Sequence, residues 1–100
     1  MAKPADLVLP LKREYFEQIK AGTKKEEFRL RNAFWQKRLV GKTFDRVILT
    51  LGYPKSDDHA RRLVLPWKGY RECSIQHPLF GADPVFVFAI DVSGAPLASA

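Results

Sequence analysis

Apolar residues recur along this chain in two rhythms. Over residues 11–21, Leu11, Tyr15, Phe16 and Ile19 fall at i, i+4, i+5 and i+8, which is one face of a helix. Lys12, Arg13, Glu14, Glu17, Gln18 and Lys20 form its wet face. Lys20 sits in the last turn, where the helix dipole favours a cation, and Gly22 follows as a C′ residue for the left-handed region. Before this helix, residues 7–9 form a short apolar strand that Pro10 closes, Pro10 then sitting at the first turn of the helix.

The second rhythm has period two. From Lys25 to Arg31, Phe28 and Leu30 share one side while Lys25, Glu27, Arg29 and Arg31 share the other. The expectation is a strand that buries Phe28 and Leu30 and displays Glu27 and Arg29. Residues 33–39 read as a short helix with Asn32 as N-cap, and Gly41-Lys42 as a turn. Residues 46–51 form a β-rich run suited to burial on both faces. A polar loop over 52–60 follows, then a strand over 62–70 in which Pro66 argues for an edge or a bulge. Residues 71–75 alternate weakly, 77–84 read as a loop, and 85–92 form the strongest strand signal. Phe16, Phe28, Phe44, Phe86 and Phe88 are core candidates by pattern. The tail from Ser93 has little to bury and should fray.

These elements predict an α+β domain: a small, mostly antiparallel barrel or curved sheet of five to six strands, with one main helix and one short helix. The divisions are 1–6 as a flexible N-terminus, 7–92 as the domain and 93–100 as a flexible tail. One hundred residues suffice for one domain. No apolar run spans a bilayer, and residues 1–6 carry one basic residue with no apolar segment behind it, so neither a membrane span nor a secretory signal is expected. The single cysteine, Cys73, excludes an internal disulfide and leaves a metal cluster without thiol pairs. The expectation is a cytoplasmic protein with a reduced, half-buried Cys73, no metal and no cofactor.

Charge adds a direction. Residues 1–71 hold all 17 Lys and Arg against 8 acidic residues, and residues 72–100 hold only Glu72, Asp83 and Asp91, for the net +6. A basic body favours a polyanionic or phosphorylated partner, although +6 also keeps a small protein in solution.

The chemistry concentrates in Gly22-Thr23-Lys24-Lys25-Glu26-Glu27-Phe28-Arg29, the pattern G-x-K-x-x-E-x-R. Lys24 offers a compact cation for a phosphate or oxyanion, and Arg29 a planar fork for a phosphate or base edge. Glu27 can accept from a base amine or orient Arg29. The competing structural reading makes Glu27 and Arg29 an ion pair at a barrel mouth, with Lys24 solvated. Lys25 and Glu26 are assigned to solvent. Trp35, Tyr53, Trp67 and Tyr70 sit among basic residues, which suits base stacking; Trp67 and Tyr53 are the foremost ligand-facing candidates, against ordinary packing. His59 and His77 lack metal-ligand spacing, and no nucleophile-elbow or Gly-rich phosphate loop is present.

The motif, with the order of strand, helix, motif strand, short helix and further strands over residues 7–92, resembles the ASCH domain family, a branch of the PUA-like barrels. The resemblance implies a PUA-like β-barrel with a cleft beside the helix–strand junction, and a role in binding RNA or modified nucleosides. Some members resemble ribonucleases or small amidohydrolases. The branch acting on acetylated cytidine uses a Lys, which maps to Lys24, a Thr, whose place is held here by Glu27, and a distant Glu, for which Glu72 is the candidate. Thr23 is adjacent to Lys24 but out of register. The expected function is a module binding RNA or a nucleotide as single-stranded nucleic acid, through Gly22, Lys24, Glu27, Arg29, Trp67 and Tyr53. The alternative is a small hydrolase acting on RNA or a modified nucleoside with Lys24 and Glu27 as catalytic groups. A third reading is a protein-interaction module whose cleft is structural only.

Overall fold

A computed structural model describes residues 5–55, 57–76 and 81–97. His77 and the first half of the expected 77–84 loop, with both extreme termini, lie outside them. The elements run β1 (Asp6–Leu11), α1 (Arg13–Lys20), β2 (Glu26–Leu30), α2 (Ala33–Leu39), β3 (Arg46–Leu51), a single 3-10 turn (His59–Arg61), β4 (Arg62–Pro66), β5 (Tyr70–Ile75) and β6 (Val85–Asp91). The strands form two three-stranded sheets, ordered β1-β3-β4 and β2-β6-β5. β1 runs parallel to β3, and the other three pairings are antiparallel. The α+β class, six strands and two helices agree with the sequence pattern.

The closed barrel does not emerge from these pairings. Among the described residues no ladder joins β1 to β2 or β4 to β5, so the two sheets face each other as separate layers. The expected single strand over 62–70 is two strands: Pro66, which has no N–H, ends β4, and Gly69 turns the chain at φ 88° into β5. Two links draw the sheets together. At the β4–β5 corner the chain itself passes from one sheet to the other, and Asp91 N–H donates to the Gly69 carbonyl to extend the β5–β6 ladder up to that corner. On the far side, Arg29 on β2 donates to the Pro10 carbonyl on β1 at 3.0 Å.

The core lies between the layers. Leu7, Leu9 and Leu11 alternate inward along β1; Val47, Leu49 and Leu65 join them from β3 and β4; Phe88 and Ile90 answer from β6; and Phe16, Ile19 and Leu39 close it from the helices. β3 is buried on both faces over its middle four residues, as its composition predicts. Pro10 does not start the helix. It stays in β1, which extends to Leu11 along β3, and α1 begins only at Arg13. β1 is an edge strand of its sheet, so a residue without an N–H is tolerated there.

β2 is inside out relative to expectation. Glu27 and Arg29 do share a face, but they lie opposite Ile90 and Phe88, both core residues, whereas Phe28 and Leu30 lie opposite Ala89 and Val87. Directly opposed residues project to the same side of a sheet, so the charged pair looks toward the core. Glu27 is only 4% exposed and Leu30 is 38% exposed. Phe86 is likewise no core residue, at 65% exposed. Phe44 packs against the core cluster. Within the tail expected to fray, Leu97 N–H donates to the Val64 carbonyl at 2.8 Å.

Candidate functional site: the Lys24 cavity

The turn that positions Lys24 is built by backbone hydrogen bonds. α1 ends at Ala21, and Gly22 follows at φ 82°. Gly22 N–H donates to the Ile19 carbonyl and Thr23 N–H to the Gln18 carbonyl, a Schellman pair that requires a left-handed residue at Gly22. Lys24 N–H also reaches the Gln18 carbonyl, at 3.2 Å. The helix end therefore holds Lys24 at the mouth of β2 with its side chain largely covered.

Beside this junction opens a cavity of about 440 Å³, within the range usual for small-molecule sites. Lys24, Glu27 and Arg29 converge on its wall together with Tyr15, Phe28, Trp35 and Tyr53. Pro10, Leu11, Lys12 and Ile75 complete the lining. Lys24 Nζ stands 3.7 Å from Glu27 Oε1 and 4.6 Å from the centre of the Phe28 ring, with Tyr15 at 5.4 Å. Aromatic faces attract an ammonium, so these two rings and the carboxylate hold the lysine head in a partly desolvated position.

Arg29 is more committed. One of its terminal nitrogens donates to Glu27 Oε2 and to the Phe28 carbonyl at 3.1 Å, and the other donates to the Pro10 carbonyl. Three of the five guanidinium N–H groups are thereby engaged, and among the described residues the other two have no acceptor. The fork stacks near Trp35, its carbon 5.5 Å from the indole centre. Glu27 is bonded to Arg29 and faces Lys24, so the buried carboxylate is compensated and the triad keeps one excess positive charge. The ion-pair reading of Glu27 and Arg29 is met, yet it coexists with an open cavity and with a lysine that is not left to solvent.

The other expected site residues disperse. Tyr53 lines the cavity and is 93% exposed. Gly22 borders a smaller cavity of about 100 Å³ behind the junction and serves the site through the turn it makes. Trp67 lies away from the Lys24 cavity: its ring packs against Phe44 at 5.1 Å and Tyr70 at 6.4 Å on the side of the core. Glu72 pairs with Arg31 on the surface at 2.9 Å and lies apart from Lys24. Glu26 is not merely solvated: Arg71 grips it with two hydrogen bonds of 2.7 and 2.8 Å, which hold its carboxyl below the usual range. Thr23 Oγ1 donates to the Gln18 carbonyl, tying that hydroxyl to the helix end.

Tyr15, Phe28 and Trp35 line the cavity although the sequence pattern assigned the first two to the core. Their signal lies in position: Tyr15 is the polar-tipped member of the apolar face of α1 and is only half-buried, and Phe28 sits between two charged residues of the motif. Among the described residues no group of three His, Cys, Asp or Glu side chains is arranged to hold a metal, and no helix is long and apolar enough to cross a membrane. No family model matches the chain, and neither the curated proteins nor the solved structures provide a match.

Proposed function

We propose that the chain is an ASCH-like domain that binds single-stranded RNA or a nucleotide in the Lys24 cavity. The observation that carries this reading is the placement of Lys24. Its ammonium sits on the cavity wall between two aromatic rings, and among the described residues its nearest anionic partner is a carboxylate already bonded to Arg29. An anion in the cavity would take the lysine's free donors, a base would stack on the surrounding rings, and Glu27 Oε1 would accept from a base amine. The finer architecture goes with this reading: the two sheets, drawn together at Arg29 and at the β4–β5 corner, are read as halves of a small PUA-like barrel. The free thiol of Cys73 suits a reducing compartment and hence a cytoplasmic location.

The hydrolase alternative rests on the 3.7 Å approach of Lys24 to Glu27. Binding is favoured over it because no serine or threonine is among the described residues lining the cavity, and Thr23 is tied to the helix end. The deciding experiment is a fluorescence titration of short single-stranded RNA at two salt concentrations. Lys24→Ala is expected to weaken binding by about tenfold and to reduce the salt slope by about one. Unchanged affinity in that variant would remove Lys24 from the site, and RNA cleavage that disappears with Lys24 would replace binding by catalysis.

A further inference from the structure

The Lys24 cavity does not end at Tyr53. A second cavity, of about 490 Å³, shares Pro10, Trp35 and Tyr53 with it, so the two adjoin across those three residues. The charged residues of the second cavity are Arg38, on α2, and Arg62, on β4. Among the described residues neither forms an ion pair. Elsewhere the carboxylates of Asp6, Glu26, Asp58 and Glu72 each hold an arginine. Among the described residues lining the joined cavities, Lys12, Lys24, Arg29, Arg38 and Arg62 stand against one carboxylate, Glu27. Among the described residues Arg38 and Arg62 are the two arginines without a carboxylate partner, and both line this groove.

Its aromatic content is as unusual. Phe34 is 59% exposed and Tyr53 is 93% exposed, and both belong to the second cavity. The Arg38 guanidinium lies 5.2 Å from the Phe34 ring centre and 5.6 Å from that of Trp35. Arg29 lies 5.5 Å from the same indole, so Arg29 and Arg38 are separated by at most about 11 Å. The two guanidinium groups are therefore close enough to meet neighbouring phosphates of one strand.

We propose that the two cavities are consecutive subsites of one groove and that its ligand is an oligonucleotide of at least two nucleotides. This rests on the nucleotide-binding reading of the Lys24 cavity. One nucleotide occupies that cavity, the chain crosses the ridge formed by Pro10, Trp35 and Tyr53, and the following phosphate meets Arg38 and Arg62. Tyr53 and Phe34 offer faces to the next base. Exposed rings interleaved with unpaired arginines suit bases and phosphates together, whereas an acidic peptide would use the cations and leave the rings idle.

The test compares four ribonucleoside monophosphates with a labelled random-sequence RNA tetranucleotide, in wild type, Arg38→Ala and Arg62→Ala. The tetranucleotide is expected to bind at least about tenfold more tightly than any monophosphate, and each variant to remove most of that gain while leaving monophosphate affinity unchanged. Unchanged monophosphate affinity also shows that the variants are folded. Equal affinity for monophosphate and tetranucleotide overturns the second subsite and leaves the first standing. A tetranucleotide gain that survives both substitutions overturns its location. Displacement of the RNA by a glutamate peptide of equal charge at equal concentration overturns the choice of ligand. Failure of every RNA probe to bind, including the monophosphates, removes the underlying reading and this extension with it.

Discussion

Arg29 and Lys24 are two residues of one motif with different burdens. Arg29 bonds to three acceptors, Glu27, Phe28 and Pro10, the last across to the other sheet. Lys24 touches one carboxylate and two rings and joins no sheets. Substitution should separate them. Arg29→Ala leaves Glu27 buried with Lys24 as its remaining charge partner, and removing one member of a buried pair costs about 3 kcal/mol. The expected result in urea denaturation is a lower midpoint with an unchanged slope; a loss below about 0.5 kcal/mol would mean that Glu27 becomes rehydrated without penalty. Lys24→Ala should change the midpoint little while weakening RNA binding. The motif named both residues, but it did not distinguish them, because what sets them apart is the Pro10 carbonyl, nineteen positions away in sequence.

At the scale of elements, legibility followed locality. α2 runs over the expected residues because Asn32 caps it through a hydrogen bond to Trp35 N–H, a signal contained within four residues. β3 was readable from its unbroken apolar run. The facing of β2 was not readable. Alternation fixes which residues share a side, while the choice of inner side depends on the partner strand, and β6 lies some sixty residues away. The Phe34–Arg38–Tyr53–Arg62 cluster was invisible for the same reason: α2, β4 and the loop after β3 meet only in the folded chain. The β2-β6-β5 sheet carries a further consequence. Glu26 on β2 and Arg71 on β5 meet over the central strand, where the register sets Glu26 opposite Asp91 and Arg71 opposite the small, buried Ala89, two positions away on the same face. Their hydrogen bonds depress the Glu26 carboxyl, with burial opposing more weakly. A carboxyl depressed on folding contributes stability that is complete above its unfolded value of about 4.3 and is lost as pH falls through the lower folded value. Thermal melts from pH 7 to pH 2.5 should therefore show a smaller acid-side loss in Glu26→Gln than in the wild type. Parallel curves would mean that the pair contributes nothing to this sheet.

Taken whole, the molecule is two layers closed at one side by a turn of the chain and at the other by a guanidinium. The groove lies along that second side, since Pro10 of β1, Arg29 of β2 and Trp35 of α2 all line it. A ligand seated there touches both layers and stabilises the folded state by mass action, about 2.7 kcal/mol at a hundred times its dissociation constant. The fastening differs in kind from a ladder of backbone bonds: it is a detachable chemical group. In Arg29→Ala the Glu27 carboxylate and the Pro10 carbonyl should remain as unused acceptors on either side of a vacancy shaped for a planar cation. Low millimolar methylguanidinium, too dilute to denature, should enter that vacancy and restore part of the lost melting temperature, while methylammonium at the same concentration should not. The seam of this fold is thus open to complementation by a small free ion, as an interface sealed by strand pairing would not be.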